Sequence, residues 1–218
     1  EIVMKKSLFA ILVLGFALLS GCQSVYYGAM EKMGSYKRDI LVDRVEEAKV
    51  AQENARAQFA NAFDEFLAVS QVDIQDLKSA YDRIEDSFQR SERDAQAVWD
   101  RIDAIKRVGK ALFKEWEDEL NQYASLELRR SSEDQMNRTR ALYSRLITAM
   151  ENVANKMTPV LDAFRDQTLF LKHNLNAQAV AALNQTAIKM RYEVDSLIQQ
   201  MSASIEEASA FIAQMRAG

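Results

Sequence analysis

Two residue types that carry much of the nucleophilic, acid–base and metal chemistry of proteins occur once each in this sequence of 218 residues. Cys22 is the only cysteine and His173 the only histidine. One imidazole cannot build the paired Glu-x-x-His set of a di-iron bundle, nor a zinc site drawn from His and Cys. A Ser-His-Asp triad would have to take His173 as its base. One thiol closes no internal disulfide, so the folded domain relies on its core. No Gly-rich phosphate loop is present. Glu115, Glu117, Asp118 and Glu119 gather carboxylates that could hold a hard cation, but such a run on a helix reads as a solvated face. Paired carboxylates could also cleave glycosides, a chemistry that needs a cleft. The residues point away from an enzyme, and away from a metal or a non-covalent cofactor.

The setting of Cys22 gives that thiol a different use. Met4, Lys5 and Lys6 precede an apolar run from Leu8 to Leu19, which ends in Leu19-Ser20-Gly21-Cys22. A basic start, a short apolar core and small residues at the exit make a secretory signal peptide. The run falls short of the ~20 apolar residues of a spanning helix. Leu-Ser-Gly-Cys is similar to a bacterial lipobox. That resemblance implies a diacylglycerol on the Cys22 thiol, cleavage before Cys22, and an N-acyl chain such as palmitate on the new amino terminus. Residues 1–22 are therefore expected to be a signal peptide with its start at Met4, and Glu1, Ile2 and Val3 are set aside. One acyl chain binds a bilayer marginally, while two or more hold firmly. Gln23 stands where an aspartate would favour the inner membrane. By the same resemblance the expected location is the periplasmic face of the outer membrane.

Lys and Arg number 28 against 32 Asp and Glu, a net charge of −4, which becomes −5 once Glu1, Lys5 and Lys6 leave with the signal. This acidity excludes a nucleic-acid partner and a generally basic, membrane-hugging surface. After the signal only Gly28, Gly34, Gly109, Gly218 and Pro159 remain of the turn-forming Gly and Pro. Antiparallel sheets need such residues every ten positions or so, and good helix formers dominate instead. Apolar or small residues recur at alternating steps of four and three in four segments. They run Leu41 to Val69, Leu77 to Trp116, Tyr143 to Leu171 and Leu183 to Met215. A sustained 3.5-residue period makes a left-handed supercoiled seam. The sequence thus predicts an all-α fold, an elongated antiparallel four-helix bundle with heptad packing. Helices are expected at about 28–69, 74–125, 132–172 and 177–216, after a short linker 23–27, with 28–218 as one domain.

Ser131 and Ser132 resemble capping boxes for the third helix, and Asn174 and Asn176 supply a stop and a cap before the fourth. Pro159 is expected to kink the third helix rather than end it, because the seam continues in phase across it. Gly109 lies on the seam, where a glycine marks close helix approach, the default reading, or a functional hinge. Trp99 and Trp116 are read as core packing.

This topology orients the rod. Tyr26 and Tyr27 suit headgroup depth beside the anchor. Arg129 and Arg130, in the connection between the second and third helices, face the same membrane and either touch lipid phosphates or are simply solvated. The opposite tip holds residues 70–73 and the stretch Leu169 to Ala177. There Phe170 and Leu175 are expected to close the bundle end, while Phe170, Lys172, His173 and Leu175 form the alternative, a partner surface.

The stretches Leu112 to Leu120, Met157 to Leu161 and Phe170 to Ala177 resemble an uncharacterised domain-of-unknown-function family of Gram-negative envelope lipoproteins. The resemblance covers nearly all of the chain after the signal and brings no catalytic residues with it. Together these features lead to a non-enzymatic, lipid-anchored periplasmic scaffold or adaptor with an envelope protein partner. The alternative is a carrier or sensor of apolar ligands or lipids, since Met-rich bundles adapt to varied apolar partners. Spare seam positions would allow a homodimer.

Overall fold

The computed structural model describes residues 37–69 and 74–217. Four long helices fill them: α1 Lys37–Ala68, α2 Leu77–Leu120, α3 Leu126–His173 and α4 Ala177–Ala217, with a 3₁₀ turn, Ile74–Asp76, leading into α2. No strand occurs among the described residues. Each helix packs on its two neighbours in the ring α1–α2–α3–α4 and back to α1. This is the antiparallel bundle that the period and short connections predict. At ~1.5 Å per residue the 44 residues of α2 span about 66 Å.

The predicted seams are the core except at Trp116, Tyr143 and Ile147, which are only half-buried, and on α3 Leu146 is buried beside Ile147. Every seam position from Leu41 to Val69 and from Leu183 to Met215 is buried, as are those from Leu77 to Leu112. Aromatic rings fill the half nearest the α3–α4 connection. There Phe66 of α1 meets Phe164 of α3 across the diagonal, edge to face, with centroids 6.3 Å apart. Nearer the middle, Ala48, Ala55, Ala95 and Ala154 draw the helices closer. Gln52, on the α1 seam between those alanines, is fully buried, and neither its amide nitrogen nor its oxygen finds a hydrogen-bond partner among the described residues.

Gly109 fulfils the expectation of close approach. A Cβ there would lie 2.5 Å from Cε2 of Tyr143 on α3, inside van der Waals contact. Pro159 lies within an unbroken α3, so the helix does not stop there. Trp99 is half-buried against the core, and its indole N–H donates to the Ala154 carbonyl at 3.4 Å.

Two boundaries differ from the sequence reading. α2 ends at Leu120 rather than 125. The Asn121 side chain donates to the Glu117 carbonyl (3.2 Å) and the Gln122 N–H to the Glu119 carbonyl (2.9 Å), which serves the last carbonyls of the helix. α3 starts at Leu126 rather than 132. Ser125 is extended (φ −86°, ψ 119°), and its Oγ accepts the Leu128 N–H at 3.3 Å. One hydroxyl with the right backbone thus captures the helix start, and Ser131 and Ser132 fall inside it. The expected start of the first helix at 28 lies outside the described residues, as do the 23–27 linker, the signal segment and the 70–73 connection.

Stagger follows from the cross-helix pairs. Lys37 at the start of α1 pairs with Glu115 at 2.7 Å, and the Arg38 guanidinium donates to the Met215 carbonyl near the end of α4. Arg145 of α3 faces Glu207 of α4 at 3.8 Å. From that level α4 has about 10 residues left before Ala217, whereas α3 runs back about 19 residues to Leu126. The α2–α3 hairpin therefore projects beyond α4 by roughly 13 Å. It carries its own small core, Phe113, Leu120 and Met136, flanked by Trp116 and Tyr143.

Candidate functional sites at the two ends of the rod

The sequence-predicted site residues separate to opposite ends of the bundle, because antiparallel helices bring alternate connections together. Cys22, Tyr26 and Tyr27 lie outside the described residues, but α1 begins at the end that carries the projecting hairpin. Arg129 and Arg130 are at this end. They are not loop residues, as the sequence reading had them, but belong to the first two turns of α3, because Ser125 starts the helix earlier. Both are exposed, and neither forms an ion pair among the described residues. Two other cations of the hairpin are ion-paired, Lys114 with Asp118 at 2.8 Å and Arg140 with Glu117 at 2.7 Å while also lying over the Phe113 ring, and Arg138 donates to Gln135 Oε1 at 3.0 Å.

The same bend exposes three large apolar side chains that sequence reasoning passed over. Leu126 is 69% exposed, Leu128 60% and Tyr123 42%. The sequence reading places Tyr123 inside the second helix and Leu126 and Leu128 in the connection before the third. Leu128 falls out of phase with the α3 seam, whereas Leu126 lies three heptads before Ile147 and keeps its phase; it is exposed because the hairpin overhangs α4 there.

The acidic run behaves as a solvated face. Glu115, Glu117 and Asp118 each face a different cation, and Glu119 is exposed. Among the described residues no three His, Cys, Asp or Glu side chains converge as a metal site would require. Trp116 is half-buried in the hairpin core, with its indole N–H on Ser132 Oγ at 2.9 Å.

At the opposite end, Asn176 caps α4 as expected, its Oδ1 accepting the Ala179 N–H at 3.0 Å. Asn174 terminates α3 and its side chain donates to the Phe170 carbonyl at 2.8 Å. The expectation that Phe170 and Leu175 close the bundle is overturned, for they are 41% and 40% exposed. Leu171, fully buried one position on, closes the end instead, because the seam runs Phe164, Thr168, Leu171 and leaves Phe170 on the flank. Lys172 and His173 are exposed beside them. The tip thus presents Leu169, Phe170, Lys172, His173 and Leu175 to solvent.

Along the flank, α3 and α4 border a groove of about 640 Å³ lined by Arg145, Asn152, Asn155, Lys156, Gln200 and Ser204. The α2–α3 groove above the hairpin holds Tyr143, whose hydroxyl pKa is pushed up to about 12, first by burial and then by the charge of Glu151. Glu151 itself is bound to Lys106 at 2.8 Å. No described helix is long and apolar enough to cross a membrane.

No curated protein and no solved structure matches the chain significantly. A family model does match, over residues 26–215, and its description is a protein of unknown function, DUF2959. The chain therefore belongs to the DUF2959 family.

Proposed function

We propose that this protein is a lipid-anchored helical scaffold or adaptor of the cell envelope, held by acyl chains on Cys22 at the periplasmic face of the outer membrane. It acts by binding a protein partner rather than by catalysis. The observation that carries the reading is the pairing of the Leu19-Ser20-Gly21-Cys22 signal with a seam that keeps one period along four helices. Such a seam spends its apolar residues on a stiff rod, and the rod separates two exposed ends by about 60–70 Å. At the end remote from α1's start, Phe170, Lys172, His173 and Leu175 offer a mixed apolar and basic surface for the partner. Aromatic and apolar anchors ringed by polar groups are what protein interfaces use.

The test is crosslinking in intact envelopes followed by purification of the acylated chain. One reproducible partner is expected, and it is expected to be lost from a Phe170→Asp/Leu175→Asp variant that keeps the wild-type helical spectrum. A chain that yields no reproducible partner in repeated crosslinked preparations defeats the adaptor reading. Mass analysis of Cys22 tests the anchor separately.

A further inference from the structure

We infer that the bend between α2 and α3 is a second membrane contact, resting on the phospholipid surface with Tyr123, Leu126 and Leu128 in the headgroup zone and Arg129 and Arg130 on lipid phosphates. This rests on the lipid-anchored reading of Cys22 and adds to it a surface that sets the tilt of the rod.

Three features of the bend converge on this occupant. First, the hairpin is the part of the described structure that reaches farthest in its direction. It projects past Ala217 by roughly 13 Å, and its tip, residues 121–131, is exposed throughout. Second, its chemistry matches a bilayer surface. Tyr123, Leu126 and Leu128 are 42%, 69% and 60% exposed within six residues. Arg129 and Arg130 follow immediately, and the spacing from Leu126 places both on its side of the helix. Tyrosine and leucine at headgroup depth with arginines on phosphates is the arrangement interfacial segments adopt. Glu127 sits in the first turn, where it complements the helix start, while the exposed Glu119 in the last turn of α2 and Glu133 and Asp134, about two turns into α3, stand back from the tip. Third, the chain outside the described residues joins at this end. Lys37 lies beside Glu115 at 2.7 Å, and the 15 residues from Cys22 to Lys37 reach at most about 50 Å when extended. An anchored Cys22 therefore keeps the bend within reach of the leaflet that holds it.

The test uses the full acylated chain, purified from membranes and placed in vesicles of phosphatidylethanolamine with phosphatidylglycerol as the minor lipid. Gln122→Cys puts a reactive thiol at the bend, and Gln178→Cys puts one at the opposite end. An environment-sensitive dye on each is quenched by headgroup spin labels. Quenching at 122 is expected to exceed that at 178 several-fold. It is expected to fall to the level at 178 in Leu126→Asp/Leu128→Asp, and to lose its dependence on phosphatidylglycerol in Arg129→Ala/Arg130→Ala. All these positions are exposed, so the helical spectrum is expected to remain unchanged.

Quenching at 122 that is indifferent to Leu126 and Leu128 overturns the inference, since the anchor alone would then bring that end near lipid. A dye at 122 already shielded before vesicles are added also overturns it, in favour of cover by protein. If mass analysis finds no acyl group on Cys22, the anchor reading fails by itself. The bend is then judged with the same dye on chain added to the vesicles from solution. Quenching that depends on Leu126 and Leu128 keeps the contact, and its absence removes it.

Discussion

Gly109→Ala is expected to destabilise the bundle, although in an ordinary helix interior the same change stabilises by ~1 kcal/mol. The added methyl would lie 2.5, 2.6 and 2.7 Å from Cε2, Cζ and Oη of Tyr143. Carbon atoms settle at ~3.5–4.0 Å, so the ring must retreat by roughly 1 Å. It has somewhere to go, because Tyr143 borders a groove open toward Lys110, Ser144 and Thr148. Moving there weakens its edge-to-face pair with Phe113, whose centroid is 5.3 Å away at 70°. Such a pair is worth ~0.5–1.5 kcal/mol, and a strained χ angle adds a similar loss. Against the helix-propensity gain, the net result is a loss of about 1 kcal/mol, or ~2–4 °C in Tm for a domain of this size.

Urea titrations followed by circular dichroism measure this directly. In a Tyr143→Ala background the obstruction is gone, and Gly109→Ala is then expected to stabilise by ~1 kcal/mol. The change of sign amounts to a coupling energy of ~2 kcal/mol, large for a single contacting pair. Equal effects of Gly109→Ala in both backgrounds would refute close packing as the reason for the glycine.

Gln52→Leu is expected to raise stability by ~1–3 kcal/mol, since it removes two buried polar atoms without partners; a lower urea midpoint would show that the amide is satisfied in solution. Asn176→Ala and Ser125→Ala should each lose ~1 kcal/mol as N-cap removals, and hydrogen exchange should localise the loss to the first turn of α4 or α3. Tyr143 supplies an alkaline signature. Its folded pKa, raised to about 12 from 10.0, means the native state holds the phenol proton more tightly than the unfolded chain. Its contribution is therefore whole below pH 10 and is lost as pH climbs toward 12. Tyr143→Phe should remove that share of the slope in urea midpoints measured across this range. For the carrier alternative, solvent extracts of chain purified without detergent should contain no stoichiometric lipid beyond that on Cys22, and a reproducible bound lipid would favour the carrier.

The position of Ser125 shows why the candidate site was only partly legible. A serine becomes a cap only when its backbone is extended and the chain beyond it turns into helix, and the local pattern offered Ser131 and Ser132 as well. Choosing the later pair moved Arg129 and Arg130 into a loop and hid Leu126 and Leu128 inside a connection. At the other end Asn176 was legible, because an asparagine after a stop and before an Ala-rich segment leaves little competition. Phe170 and Leu171 are adjacent and both apolar, so composition could not say which faces the core; the seam phase favours Leu171, and the structure follows the phase.

Sequence alone determined the helical class, four seams and most of the residues on them, because helical periodicity is a local property repeated over 32 to 48 residues in each helix. It also singled out Cys22 and its surroundings, which lie outside the described helices. Tertiary structure decided how the helices slide against one another. Stagger depends on which layers of unequal side chains interlock, the pairing of Arg145 with Glu207 and Lys37 with Glu115 among them, and a heptad pattern is nearly indifferent to shifts by whole repeats. That choice of register makes the α2–α3 hairpin overhang, sets Gly109 under Tyr143, and turns a bend that looked like a plain connection into the exposed end of the rod.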